Sequence, residues 1–143
     1  PVMPGTWGTL GALLIHAEID DIKRFSHPEK LCAYAGLVPT VRQSASSVHY
    51  GAISKVGSSY LRWMLTEAVH THAHCEPGSR LSRFHAKVAR RRGKQKAVTA
   101  TSRKLLVIIY WMLVRHEPYH SQGLDPGFPP ARSECDIGIG AGP

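Results

Sequence analysis

Ten consecutive apolar residues, Leu105 to Val114, stand between Lys104 and Arg115 in a chain of 143 residues. The run is about half of the ~20 residues that a bilayer-spanning helix needs, and cations close it at both ends. A helix that is apolar on every side must be covered from every direction. The run therefore predicts one central helix, from about Lys96 to Arg115, with Tyr110 and Trp111 as core anchors and the other elements wrapped around it. With 43% hydrophobic residues, a chain of this length supports one such core and leaves little for a second.

Punctuation along the chain defines the wrapping elements. Thr9 to Ile19 reads as a short, mostly buried helix that stops near Asp20 and Asp21. Ser26 and Glu29 have capping-box spacing, with Pro28 in the first turn, and open a second helix that Gly36 closes. From Leu37 to Gly57 helical spacing is lost, which predicts an irregular serine-containing loop with room for a small hairpin at Val48 to Ile53. Ser58 or Ser59 caps a third helix that carries Leu61, Leu65, Ala68, Val69 and His72 and stops at Pro77-Gly78. Leu81, Phe84 and Val88 mark a fourth. Residues 119–143 are rich in Gly and Pro, show no periodicity, and read as a disordered tail behind a folded domain of residues 1–118. The expected fold is mainly α, a bundle of about five helices.

Charge is distributed unevenly. Lys and Arg number 18 against 10 Asp and Glu, a net +8. Residues 61–117 hold twelve of the cations and three of the acids. Eight cations fall within the seventeen positions from Arg80 to Lys96 without one acid, beyond what a mixed-sign soluble surface requires. That is the footprint of a polyanion partner, and Arg83, Lys87, Arg90, Arg91 and Lys94 are its candidate nucleic-acid contacts. Cys32, Cys75 and Cys135 are odd in number and widely spaced, which argues against a disulfide framework and favours a reducing, cytoplasmic setting without a membrane span. The chain opens at Pro1, with its first Met at position 3, and is expected to be a piece of something longer.

Four local constellations could carry chemistry. His70 and His74 lie one helical turn apart but lack a third ligand and a nearby general base, so they read as surface histidines rather than a metal site. Glu18, Asp20 and Asp21 cluster, yet no further acid besides Glu29 appears before Glu67, too few for a two-metal phosphoryl-transfer centre. Met3-Pro4-Gly5 before a Leu/Ala-rich helix resembles a helix-hairpin-helix start, but Trp7 stands where the second glycine of the phosphate-cradling turn belongs, so packing is the reading. Ser44, Ser46 and Ser47 lie between Arg42 on one side and Lys55 and Arg62 on the other. A serine hydroxyl can attack a phosphodiester when cations neutralise the charge that builds on the phosphoryl oxygens. Serine-rich turns also occur with no chemistry at all.

Taken in order, Pro4-Gly5, Ala17-Glu18-Ile19-Asp20 with Arg24-Phe25, Ala33-Tyr34-Ala35-Gly36-Leu37-Val38-Pro39, Gln43-Ser44, Gly51-x-Ile53-Ser54-Lys55-x-Gly57, Tyr60-Leu61-Arg62 and Arg103-Lys104-Leu105-Leu106 form a specific series. Over about residues 3–119 the chain resembles the C-terminal domain of the bridge-RNA-guided bacterial insertion-sequence transposases, the DEDD-type enzymes with a serine nucleophile. The resemblance implies a split active site. An N-terminal RNase H-like domain, outside this chain, would supply four acids and Mg2+, so no cofactor or metal is expected here. The C-terminal domain would supply the serine across a homo-oligomer, and a structured guide RNA would pair with the DNA. The family register counted from Pro39 to Gly51 places that serine at Ser44, followed by Ala45 where the family usually has glycine. Arg42, Lys55 and Arg62 would then position or neutralise the phosphate, and the basic helix would grip RNA or DNA backbone. The alternative is a non-catalytic nucleic-acid-binding remnant or interaction module.

Overall fold

The computed structural model describes residues 9–44, 47–54 and 56–116, without the side chains of 9, 10 and 41–50. The described residues form five helices and one hairpin: α1 (Thr9–Ile19), a 3-10 turn (Ile22–Arg24), α2 (Pro28–Tyr34), β1 (Pro39–Ser44), β2 (Ser47–Ile53), α3 (Ser59–Cys75), α4 (Arg80–Arg92) and α5 (Lys94–Arg115). The fold is mainly α, as the periodicity predicts. The helix-hairpin-helix-like start at Pro4-Gly5, the boundary at 118 and the tail lie outside the described residues.

α5 is the central helix. Leu105, Leu106, Ile108, Ile109 and Met112 are all buried, and α2, α3 and α4 each pack against it. By length and composition α5 could cross a bilayer, but the apolar surface that would face lipid is the surface the other helices cover. The two predicted anchors differ. Tyr110 is buried, and its hydroxyl donates to the Phe25 carbonyl at 3.0 Å, tying the chain after the 3-10 turn to the core. Trp111 is half-buried, with its ring edge-on to Tyr110 and the Arg115 guanidinium 4.8 Å from its centroid.

Two local expectations are corrected. α1 is not mostly buried: Ile15 and Ile19 face the core, but Leu13 and Leu14 are 60% and 45% exposed, because α3 is its main described neighbour. The Ser26/Glu29 box does not form. Pro28 lacks an N–H and takes the first helical position, which makes His27 the N-cap and puts Glu29 one place too early to reach back. Its carboxylate lies 3.8 Å from Arg103 instead.

The stretch read as irregular is an antiparallel hairpin, longer than the segment from Val48 to Ile53. Its register pairs Pro39 with Ile53, Val41 with Tyr50, Arg42 with His49, Gln43 with Val48 and Ser44 with Ser47. A bulge falls between Pro39 and Val41. There Thr40 Oγ1 donates to the Ala52 carbonyl at 3.0 Å, in space that a Cβ on Gly51 would occupy.

Candidate nucleic-acid interface

The hairpin leaves the helical body through two chain segments that are bonded to each other. α2 ends in a Schellman turn: Gly36, at φ 67°, donates to the Ala33 carbonyl at 2.9 Å, and Leu37 donates to Cys32 at 2.9 Å. Cys32 and Leu37 are both buried, the apolar contact that accompanies this motif. Two carbonyls remain, and the start of α3 satisfies both. The Ser58 N–H donates to Tyr34 at 2.9 Å, and Arg62 Nη1 donates to Ala35 at 3.1 Å. Every carbonyl from Leu31 to Ala35 thus has a partner, as buried backbone requires. Gly57 makes this approach possible, since a Cβ there would lie 2.2 Å from the Tyr34 oxygen.

Ser58 completes the junction. Its hydroxyl caps α3 by accepting from the Leu61 N–H at 3.2 Å, and it donates its proton to Glu18 on α1. The Tyr34 hydroxyl donates to the same carboxylate oxygen at 3.5 Å.

Against this frame the predicted site residues separate. Ser44 is the last residue of β1 and pairs with Ser47 at the outer end of the hairpin; Arg42 lies two residues back on the same strand, opposite Val48's neighbour His49. Lys55, Ala45 and Ser46 lie outside the described residues. Arg62 belongs to the root. The strand rise separates the two ends of β1 by ~17 Å, so the backbone puts Ser44 and Arg42 on one strand and Arg62 at the opposite end.

The other candidates gather on α4 and the start of α5. Arg83, Lys87, Arg90, Arg91 and Lys94 are all exposed, and none forms an ion pair with a described residue. Phe84, Lys87, Val88, Arg91 and Arg92 line a shallow depression of about 210 Å³, and the Lys104 ammonium lies 4.7 Å from the Phe84 centroid. A buried polar relay fixes how α4 departs from α3. His72 Nε2 is 2.7 Å from Ser79 Oγ, the N-cap of α4, which accepts from the Ser82 N–H at 3.1 Å and donates to Ser82 Oγ at 3.0 Å. This order of donors requires Nε2 to carry the imidazole proton. Burial pushes the His72 pKa below its ordinary value, against a weaker upward pull from Glu76. The sequence reading missed this relay, although Ser79-x-x-Ser82 after Pro77-Gly78 is its signal.

The four acids before residue 30 are engaged in the fold. Besides Glu18, Asp21 caps the 3-10 turn by accepting from the Lys23 N–H at 2.9 Å, Asp20 lies 3.8 Å from Arg24, and Glu29 faces Arg103. Among the described residues, no group of three or more His, Cys, Asp or Glu could hold a metal ion. No such cluster is therefore offered to Mg2+ by the described side chains.

The family model described as Transposase IS116/IS110/IS902 family matches residues 3–86, a stretch that includes the hairpin, both of its roots and the start of α4. The chain is 32% identical over 120 residues to the transposase for insertion sequence element IS1111A of Coxiella burnetii, covering 82% of this chain and 32% of that protein. It is 33% identical over 96 residues to y4rJ of Sinorhizobium fredii, which carries a transposase name, covering 62% of this chain and 23% of that protein. The chain spans about a third or less of the length of these relatives. With more than half of its residues matched in one unbroken stretch, the chain belongs to the IS116/IS110/IS902 family of transposases.

Proposed function

We propose that this chain is the serine-bearing C-terminal part of an insertion-sequence transposase that acts in DNA transposition under the direction of a guide RNA. Ser44 is the nucleophile. Its Oγ bonds to phosphorus while the bond from phosphorus to one sugar oxygen breaks; the hydroxyl proton passes to a base, and the departing oxygen takes up a proton. Arg42 and Lys55 offset the charge on the phosphoryl oxygens, and Arg62 serves them by holding the hairpin root. Arg83, Lys87, Arg90, Arg91 and Lys94 bind phosphate backbone of DNA or RNA. Glu18, Asp20, Asp21 and Glu29 are engaged within the fold, and Mg2+ belongs in this reading to an acidic RNase H-like domain of the same protein, acting within a homo-oligomer.

The observation that carries the proposal is the hairpin itself: a serine in the end pair of an arm that both root segments anchor through their backbones. The test is formation of a covalent protein–DNA adduct by the full-length transposase with Ser44→Ala, Ser46→Ala or Ser47→Ala. Ser44→Ala is expected to lose the adduct and strand exchange by at least about a thousandfold while still binding DNA; the other two retain both. Full strand exchange by Ser44→Ala would overturn the proposal. Nucleic-acid binding without exchange by any form would support the non-catalytic reading, which the alanine at position 45 favours.

A further inference from the structure

We infer that Glu18 is a positioning residue for the serine-bearing hairpin, acting from α1 on both of its roots at once. The inference rests on the reading of Ser44 as nucleophile and goes beyond it by assigning work to an acid far from the hairpin tip.

Three elements meet at one carboxylate oxygen. Tyr34, at the end of α2, precedes the segment that rises into β1, and Ser58 opens α3 directly after the segment that descends from β2. Both hydroxyls donate to Glu18 Oε1. α1 meets the rest of the described body mainly through α3, so Glu18 is where it also grips the end of α2. The remaining root bonds, Ser58 N–H to Tyr34 and Arg62 to Ala35, join the same two segments from the other side.

The hairpin has no third strand and no broad contact with a helix among the described residues. A lone two-stranded hairpin holds its direction poorly in water, so its aim is set at its roots. A displacement of about 1 Å at a reacting group is enough to cost ~100-fold in rate. What Glu18 supplies is a fixed acceptor for two hydroxyl donors. An amide oxygen at the same place would serve as well, whereas a metal ligand or a general base would need the carboxylate itself.

The experiment compares Glu18→Ala, Glu18→Gln and Ser44→Ala in the full-length transposase, measuring the rate of adduct formation per folded molecule against DNA concentration. Glu18→Ala is expected to lower the maximal rate at least tenfold with the half-saturating DNA concentration changed less than twofold, and Glu18→Gln to recover to within threefold of the parent. A purely structural loss would reduce the folded fraction and leave the rate per folded molecule unchanged, which would overturn the inference. So would a Glu18→Gln as impaired as Glu18→Ala. An inactive Ser44→Ala beside a fully active Glu18→Ala overturns this inference alone, whereas an active Ser44→Ala overturns the nucleophile assignment. Should Glu18→Ala fail to fold, Ser58→Gly keeps a tolerated α3 cap and removes the proton donor to Glu18 without adding charge. It is expected to show the same loss of maximal rate, and a parental rate would overturn the inference.

Discussion

At Gly57 one added carbon would stand 2.2 Å from the Tyr34 carbonyl oxygen and 2.8 Å from the Gly36 nitrogen, both backbone atoms that cannot swing aside. Its φ of 149° adds a conformational cost to the steric one. Gly57→Ala should therefore destabilise the domain by about 3 kcal/mol, read from the urea midpoint. Gly93→Ala, at φ 88° with nothing within 4 Å, should cost only ~1 kcal/mol. Gly78→Ala, with neither constraint, should stay within about 0.5 kcal/mol. Gly36 was legible in the sequence as a helix terminator, because an αL cap is a local property. Gly57, Arg62 and Glu18 were not legible in their structural tasks. Each partner lies sixteen or more positions away, at Tyr34, Ala35 or Ser58, and no local pattern announces such a bond. Arg62 shows the consequence: beside a serine cluster it reads as a phosphate ligand, and the sequence carries no sign that one arm of its guanidinium also holds a helix end.

Among the elements, the junction of α3 and α4 carries the clearest pH dependence. Burial lowers the pKa of His72, and burial aided by the nearby His70 lowers that of His85. Each takes a proton less readily folded than unfolded. Below the ordinary histidine value of 6.5 the unfolded chain therefore binds more protons, and stability is lost as pH falls through that region. Stability should be fully present above that value. Urea midpoints from pH 8 to pH 5 should fall on the acid side, and His72→Gln should flatten the slope. α5, α3 and α4 were legible because their apolar patterns, and for α3 its serine cap, are written within each segment. α1 was legible as a helix but not in its burial, which depends on how few neighbours it has. The hairpin was read as mainly irregular because Pro39, Gly51 and the serines break any strand alternation; its pairing is settled by the roots and the bulge.

For the whole molecule, the net +8 matters through its placement. The cations of α4 and the α5 start are exposed, and the relay at Ser79 ties the start of α4 to α3. Binding of this chain to a nucleic-acid duplex should weaken with salt at a log–log slope of about −4, as four or five phosphates release their counterions. Arg83→Gln, Lys87→Gln and Arg91→Gln together should reduce that slope by about 2 to 3, measured by fluorescence anisotropy. A slope unchanged in the triple variant would remove α4 from the interface.

The sequence by itself determined that one apolar helix is wrapped by others, that the positive charge is concentrated between Arg80 and Lys96, and which family the motifs resemble. These are properties of spacing, composition and order, and they survive without coordinates. Only the tertiary structure decided what the motif residues do. Tyr34, Gly36, Gly57, Ser58 and Arg62 close the roots of a hairpin, and Glu18 reaches them from α1. The physical reason is that unsatisfied carbonyls at a helix end must find donors wherever the chain returns, and the place of return is set by packing around α5.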